Sequence, residues 1–371
     1  MVKYLQGTEK LCTIELGSKV LTFDYKRKKL LFSLYCAHLF VPLPTKRERE
    51  MLLSIFFILV GFVLLMKGGD FLVDGAVAIA QRAKLSNMVI GLTVVGFGTS
   101  MPELLVSSQA AWVGSSGLAI GNVVGSNIAN VALILGVTSL IHPLPSKRSM
   151  MRVDIPFLLF AMILFIAFAF TGEVIQRWQG ICMVLLLVGF ITWEIWQSRK
   201  ATKAAMEEAP IQAPMPLWRA ILFVIVSLAA MVWGADLLID GASAIAMDLG
   251  QMLGVGKEAM ERIIGLTVVA VGTSLPELFA SVMAARKGET DMAVGNIIGS
   301  VSFNILCVVG TASAIMPISN AWSPFAIDYV VMIGLGILLW LFLRTHHKIV
   351  RWEGAILLSI YILYLARTFY I

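Results

Sequence analysis

The sequence predicts an all-α membrane protein of ten transmembrane helices, arranged as two inverted repeats of five helices each. Three observations predict this fold: an apolar composition, ten long apolar runs, and three motifs that occur twice in the same order. Hydrophobic residues make up 58% of the 371 positions and charged residues 14%, against roughly 25% charged residues in an average soluble domain. Such a chain cannot cover itself with a polar surface. We therefore expect a multi-pass protein of a cell membrane, such as the bacterial inner membrane.

The apolar runs are long enough to cross a bilayer as helices, which takes about 20 residues, and they lack the alternation of a membrane strand. They form two series, at 51–79, 87–112, 117–140, 154–171 and 176–196, and at 217–246, 263–285, 291–316, 325–343 and 352–369. Charged residues and prolines separate the two series and predict a solvated connector. We therefore divide the chain into an N-terminal extension at 1–50, a first repeat at 51–197, a cytoplasmic connector at 198–216 and a second repeat at 217–371.

Three motifs of the first series return in the second. GDFLVDGA at 69–76 matches ADLLIDGA at 235–242, GLTVV with GTSMPEL at 91–104 matches GLTVV with GTSLPEL at 265–278, and GNVVGS at 121–126 matches GNIIGS at 295–300. Three ordered matches indicate an internal duplication. Because each repeat holds an odd number of spans, the second enters the bilayer from the opposite side, and a binding site is expected near the midplane.

Lysine and arginine residues predict which side of the membrane is cytoplasmic. From residue 51 onward, fourteen of them fall on one side and four on the other, and cytoplasmic loops carry the excess. The formal charge of +6 is explained by this topology, so we predict no nucleic-acid partner.

The first 50 residues do not fit this topology. The non-cytoplasmic side would then hold Lys26, Arg27, Lys28, Lys29, Lys46, Arg47 and Arg49. The stretch also has neither a counterpart in the second repeat nor a signal-peptide pattern. We hypothesise that Met51, which opens the first span, is the true start of the protein. The alternative is a disordered or surface-lying cytoplasmic tail with an additional membrane crossing.

Two glutamates within apolar spans are the strongest candidates for a binding site. An ionised carboxylate at this depth costs at least ~2.5 kcal/mol, so Glu103 and Glu277 each need a partner or a function. A bound cation is the natural counter-charge. A threonine and a serine share the helical face of each glutamate, namely Thr99 and Ser100, and Thr273 and Ser274.

A proline before each glutamate predicts that the helix is broken at this site. Pro102 and Pro276 lack an N–H group, which leaves the carbonyls of Gly98 and Gly272 without their usual helical partner. In the next span of each repeat, a serine and an asparagine four positions apart add oxygen atoms: Ser126 with Asn130, and Ser300 with Asn304. Hard oxygen ligands suit calcium or sodium, with protons as competitors, whereas the scattered Cys12, Cys36, Cys182 and Cys307 predict no zinc site or disulfide framework.

Other repeated residues are explained better by structure than by ion binding. Gly121 with Gly125, and Gly295 with Gly299, are pairs of small residues at the spacing that allows two membrane helices to pack closely. Four aspartates near span ends fit capping or interfacial hydrogen bonding better than an ion entry path: Asp70, Asp74, Asp236 and Asp240.

Gly-Thr-Ser-x-Pro-Glu followed by Gly-Asn-x-x-Gly-Ser, present twice, resembles the alpha repeats of the sodium/calcium exchanger family, within the cation/calcium exchanger superfamily. The resemblance covers residues 51–371, is sharpest at 91–139 and 265–313, and is closest to compact prokaryotic members. It implies the sodium/calcium exchanger fold of ten helices, alternating access, calcium and sodium as transported ions, and no cofactor. It also implies a cation site of Thr99, Ser100, Glu103, Ser126, Asn130, Thr273, Ser274, Glu277, Ser300 and Asn304, with the backbone carbonyls of Gly96 and Ala270.

Two positions depart from the family pattern. Asn304 stands where some family members have an aspartate, so the site here holds two formal negative charges rather than three. Val301 follows Gly-Ser in the second repeat, whereas Asn127 follows it in the first. We expect these differences to affect stoichiometry or selectivity.

Three functions compete on the sequence alone. Exchange of three sodium ions for one calcium would move one net charge per cycle, worth about 2.3 kcal/mol per 100 mV, and would be electrogenic. A calcium/proton antiporter would use the same glutamates. An intramembrane serine protease, suggested by Gly-Ser-Ser-Gly at 114–117, would need a membrane-buried histidine base, and no histidine lies at mid-span. We therefore predict a transporter and not an enzyme, and the sequence leaves its oligomeric state open.

Overall fold

The structure is a computed structural model, and it describes residues 11–16, 19–24, 46–145, 147, 149–171, 174–206, 215–254, 270–319, 322 and 325–370. The chain divides into two units, Met1–Leu52 and Leu53–Ile371. In the first unit, β1 (Leu11–Leu16) and β2 (Lys19–Asp24) form an antiparallel hairpin with Leu11 opposite Asp24. Helix α1 (Lys46–Ala83) runs without a break through Met51, and the start of the protein at that residue stays a prediction.

Helices make up nearly all of the described part of the second unit, which confirms the predicted all-α membrane fold. The first repeat contributes α1 (Lys46–Ala83), α2 (Asn87–Thr99 and Met101–Trp112), α3 (Ser116–Ile141), α4 (Met150–Phe170) and α5 (Arg177–Met206). The second contributes α6 (Leu217–Met252), α7 (Ala270–Gly272 and Leu275–Arg286), α8 (Thr290–Ile315), α9 (Ala326–His346) and α10 (Arg351–Tyr370). In the described residues, seven helices are long and apolar enough to cross a membrane, and the bent α2 is an eighth candidate. The count of ten spans stays a prediction.

Helix α5 is longer than the sequence analysis predicts. The predicted span ends at 196 and the predicted connector begins at 198, whereas the helix continues to Met206. The additional residues are mainly lysine, arginine and alanine, which are strong helix formers, so the helix does not end where the apolar run ends. The polarity of this stretch indicates where the membrane ends and says little about where the helix ends.

Short strands between the helices connect the two repeats. β3 (Leu144–Pro145) pairs antiparallel with β6 (Lys348–Ile349), and β4 (Val174–Ile175) pairs antiparallel with β5 (Ile318–Ser319). Glu103 corresponds to Glu277, an offset of 174 residues, and the same offset carries β3 onto β5 and β4 onto β6. Each strand pair therefore joins one repeat to the other, and the two pairs are equivalent under the repeat.

Close glycine contacts between helices also join the two repeats in two equivalent pairs. Gly180 in α5 packs against the backbone of Gly310 in α8, and its counterpart Gly354 in α10 packs against the backbone of Gly136 in α3. A Cβ atom at Gly180 or Gly354 would collide with the opposing helix. Small residues at these positions let the helix backbones approach closely. Each contact joins one repeat to the other, and the two contacts are equivalent, as a twofold relation between the repeats requires.

Candidate cation site

Glu103 in α2 and Glu277 in α7 are both fully buried, and each lies in the first turn of the second half of a broken helix. The breaks occur at Ser100 (φ −85°, ψ 7°) and Ser274 (φ −91°, ψ 6°), immediately before these halves. Proline favours the first turn of a helix because its missing N–H group has no intrahelical partner to lose there. The two halves of α2 meet at 47°. The structure therefore contains the predicted breaks beside both glutamates.

Hydrogen bonds join the two repeats at these breaks. The Ser100 hydroxyl donates to Oε1 of Glu277 over 3.1 Å. The hydroxyls of Thr99 and Ser300 lie 3.4 Å apart, and Ser300 donates to the carbonyl oxygen of Gly96 over 3.5 Å. Five of the predicted site residues, from α2, α7 and α8, are thus brought into one cluster.

Several buried polar atoms at this site have no hydrogen-bond partner among the described residues. They are both carboxylate oxygens of Glu103, Oε2 of Glu277, Oγ of Ser274, and the side-chain amide groups of Asn130 and Asn304. Ser126 in α3 lies beside the Glu103 carboxylate, but neither carboxylate oxygen forms a hydrogen bond with it. An unpaired buried polar group costs about 1–3 kcal/mol, and more when it is charged. So many together are typical of a site that holds an ion or ordered water.

The two asparagines occupy equivalent positions in helices of unusual geometry. Asn130 lies in a π-helical turn of α3 (Ala129–Ile134), and Asn304 begins the π-helical turn of α8 (Asn304–Val309). Both side chains are fully buried. Such wide turns occur frequently at functional sites, because they shift a side chain out of the regular helical spacing.

Among the described residues, the other predicted ligands have no side-chain hydrogen bond that joins them to this cluster. Thr273 is partly buried, and Ala270 begins the described part of α7, with residues 255–269 outside it. Ser274, Asn130 and Asn304 are buried, without a hydrogen bond to another site residue in the part of the chain that the structure describes. The twelve-residue ligand set as a whole therefore stays a prediction.

Two asparagines that the sequence analysis did not select hold the glutamate helices. The Asn296 amide donates to the Ser281 hydroxyl (2.8 Å) and to the carbonyl oxygen of Glu277 (3.3 Å). Its Oδ1 atom lies 3.4 Å from the Thr99 hydroxyl, which donates to it across the repeats. In the other repeat, the Asn122 amide donates to the Ser107 hydroxyl (2.9 Å) and to the carbonyl oxygen of Glu103 (3.4 Å). The sequence signal that could have identified them is an asparagine at the equivalent position of both repeats, within an apolar span.

The first half of α2 packs directly on α8. A Cβ atom at Gly295 would collide with the carbonyl oxygen of Met88, and one at Gly299 with that of Leu92. The glycine pair of the second repeat therefore has the packing role predicted for it. In the first repeat, a Cβ at Gly121 would be 3.5 Å from the Phe325 ring, an ordinary contact.

Ser116, the serine that suggested a protease, has a structural role. Its hydroxyl accepts from the Ser319 backbone N–H over 3.1 Å and lies 3.3 Å from the Ser319 hydroxyl. This exposed contact ties the start of α3 to β5. Within the described part of the chain, no histidine hydrogen-bonds to it.

Buried carboxylates, hydroxyls and amides at paired helix breaks define a membrane cation transporter of the exchanger type. The family model for the sodium/calcium exchanger protein matches residues 53–196 and 219–370. The chain therefore belongs to the sodium/calcium exchanger family, a family of transporters and not of enzymes, which carries calcium and sodium and uses no cofactor.

Curated relatives and solved structures agree with this assignment. The sodium/calcium exchanger MaX1 of Methanosarcina acetivorans is 34% identical over 355 residues, covering 85% of this chain and 98% of the relative. The inner membrane protein YrbG of Escherichia coli is 31% identical over 330 residues, covering 86% and 98%. A structure of the sodium-calcium exchanger NCX_Mj soaked with Na⁺ and Sr²⁺ matches with a TM-score of 0.72 and 31% identity, covering 85% of this chain and 98% of that one.

Proposed function

We propose that the protein exchanges calcium for sodium across the membrane by alternating access, and that this exchange is electrogenic. The observation that carries the proposal is the pair of fully buried glutamates, from equivalent positions of the two repeats, with unpaired carboxylate oxygens. Two carboxylates can neutralise one divalent cation, and without a cation their burial would be costly. The name of the relative MaX1 and the ions soaked into NCX_Mj support sodium as the exchanged ion.

The proposed ligands come equally from the two repeats. Calcium takes six to eight oxygen ligands in proteins, and sodium likewise prefers hard oxygens. The glutamates supply charge, and the hydroxyls, amides and carbonyls supply neutral oxygens that can be shared between alternative ions. The proposed set is Gly96, Thr99, Ser100, Glu103, Ser126 and Asn130 with Ala270, Thr273, Ser274, Glu277, Ser300 and Asn304.

The test is uptake of calcium-45 into proteoliposomes that contain the purified protein. Uptake is measured with an outward sodium gradient and, separately, with an outward proton gradient, for the wild type, Glu103→Gln and Glu277→Gln. Glu353→Gln is the matched control, because Glu353 is equally buried but accepts a hydrogen bond from the backbone N–H of Val350. Sodium-driven uptake that is lost in both site variants and kept in the control is the expected result.

An imposed membrane potential tests electrogenicity in the same vesicles. If three sodium ions leave for each calcium that enters, one positive charge leaves per cycle, and an inside-positive potential accelerates uptake. A rate independent of the potential would contradict an electrogenic cycle. Uptake driven only by protons would identify a calcium/proton antiporter instead, and absence of calcium flux under both gradients would show that the transported ion is a different one.

A further inference from the structure

Three charged residues at the junction of α7 and α8, two in the loop and one in the first turn of α8, each contact a different part of the first repeat. Lys287 binds Asp74 in α1, with Nζ 2.7 Å from Oδ1, and also donates to the backbone oxygen of Asp70 over 2.7 Å. Glu289 accepts from the Asn87 amide at the start of α2 over 2.6 Å. Asp291 forms an ion pair with Lys147, between α3 and α4. We call these three contacts the clasp.

The equivalent loop of the first repeat has no charge. Arg-Lys-Gly-Glu-Thr-Asp at 286–291 corresponds to Trp-Val-Gly-Ser-Ser-Gly at 112–117, so Val113 stands at the position of Lys287. The aspartates equivalent to Asp70 and Asp74 are Asp236 and Asp240 in α6, and both are exposed. The clasp is therefore present on one side of the membrane only, which the lysine and arginine distribution predicts to be the cytoplasmic side.

The clasp lies at one end of the tightly packed interface between α2 and α8, next to the site. The first half of α2, which runs from Asn87 to the site residue Thr99, is packed on α8 at Gly295 and Gly299 without room for a Cβ atom. Separation of that half of α2 from α8 would part Thr99 from Ser300 and open the site toward this side. Glu289 and Asp291 flank the start of α8 and hold α2 and the α3–α4 loop against it.

We propose that the clasp keeps the cytoplasmic side of the cation site closed and thereby regulates the exchange between the two access states. This inference rests on the proposed alternating-access function and adds a set of contacts that controls it. Each contact is partly exposed, with 29% of the Lys287 side chain accessible, so each contributes modestly and is screened by salt. Loss of the Lys287 contacts is expected to raise the population of the cytoplasm-open state about three- to tenfold.

Hydrogen–deuterium exchange of residues 87–99, followed by mass spectrometry on the full chain in nanodiscs, tests the clasp without requiring transport. Lys287→Asp is expected to exchange about three- to tenfold faster in this segment. Lys287→Asp with Asp74→Lys restores an ion pair of opposite polarity and is expected to return exchange toward the wild-type rate. Asp240→Lys, at the position equivalent to Asp74, is the matched control and is expected to leave the segment unchanged.

Ionic strength provides a second measurement that needs no variant. Raising choline chloride from about 0.01 M to about 1 M shortens the screening length roughly tenfold, which should accelerate exchange of this segment in the wild type and much less in Lys287→Asp. Unchanged exchange in Lys287→Asp, or no recovery in the charge-reversed pair, would overturn the proposal. If the clasp behaves as expected but the wild type carries no calcium, only the proposed ion exchange fails.

Discussion

The Ser100 hydroxyl of the first repeat donates a hydrogen bond to Oε1 of Glu277 in the second repeat, over 3.1 Å. The equivalent hydroxyl, Ser274 Oγ, is buried without a partner among the described residues, as are both carboxylate oxygens of Glu103. A site assembled from two equivalent halves is therefore asymmetric in this structure. Glu277 is tied across the repeats, whereas Glu103 has both oxygens available to a ligand.

Replacing Ser100 with alanine tests the value of this bond. A hydrogen bond to a charged group contributes about 1.5–3 kcal/mol, so Ser100→Ala is expected to weaken calcium binding by about tenfold or more. Equilibrium binding of calcium-45 to purified protein measures the effect. Ser359→Ala is the control, because that hydroxyl is exposed and, within the described residues, bonds only to the Ala355 carbonyl of its own helix. Equal affinity of Ser100→Ala and wild type would contradict a role of this hydrogen bond in calcium binding.

Removal of calcium is expected to lower the thermal stability of the wild type. A ligand at about 100 times its dissociation constant stabilises the folded state by about 2.7 kcal/mol. Thermal unfolding in detergent, with calcium or with a chelator, measures this difference. Glu103→Gln and Glu277→Gln should show little or no calcium-dependent shift, and a full shift in either variant would place the ion elsewhere.

Asn296→Ala is expected to impair calcium binding more than Asn122→Ala. Both changes remove the amide that holds a glutamate helix, but only Asn296 also accepts from Thr99 across the repeats. One further buried hydrogen bond, worth about 1 kcal/mol, predicts an affinity roughly fivefold lower for Asn296→Ala than for Asn122→Ala. Calcium-45 binding and thermal unfolding of both variants provide the comparison. Equal losses of affinity would contradict a role for the Thr99 contact.

Glu353→Gln is expected to retain both folding and transport, although Glu353 is as fully buried as the two site glutamates. Its Oε2 accepts from the backbone N–H of Val350 over 2.9 Å, which caps the start of α10. The equivalent residue of the first repeat is Gln179, whose Oε1 accepts from the backbone N–H of Gln176 over 2.7 Å. A glutamine therefore suffices for this contact. Loss of sodium-driven calcium uptake in this variant would mean that its charge matters.

Gly295→Ala is expected to destabilise the protein by about 1–3 kcal/mol, because its Cβ atom would collide with the Met88 carbonyl and force α2 away from α8. Gly334→Ala in α9 is the control, since a Cβ there meets no described atom within 4 Å. The midpoint of thermal unfolding compares the two variants. A midpoint for Gly295→Ala equal to that of the control would show that the interface is looser than the structure describes.

The sequence predicts the parts of this site that depend on local chemistry. Pro102 and Pro276 break their helices wherever the chain places them, and Glu103 and Glu277 must be buried because the runs around them are apolar. Asn296 could not be assigned in the same way, because its partners Ser281 and Thr99 are 15 and 197 positions away and meet it only when helices cross.

The strand pairs were equally inaccessible to the sequence. Leu144 and Ile349 show no strand pattern, since two residues are too few to display an alternation, and their pairing follows from the arrangement of the surrounding helices. The end of α5 at Met206 was missed for another reason. Its lysine, arginine and alanine residues are strong helix formers, so their polarity ends the apolar run without ending the helix.

The exchanged strands also constrain how the protein is made. Pro145 pairs with Lys348, so about 200 residues must be synthesised after β3 before its partner exists. At 5–20 residues per second, this takes the ribosome roughly 10–40 s. The first repeat thus enters the bilayer with this contact unmade, and a nascent chain stopped before Lys348 would leave β3 unpaired however long it waited.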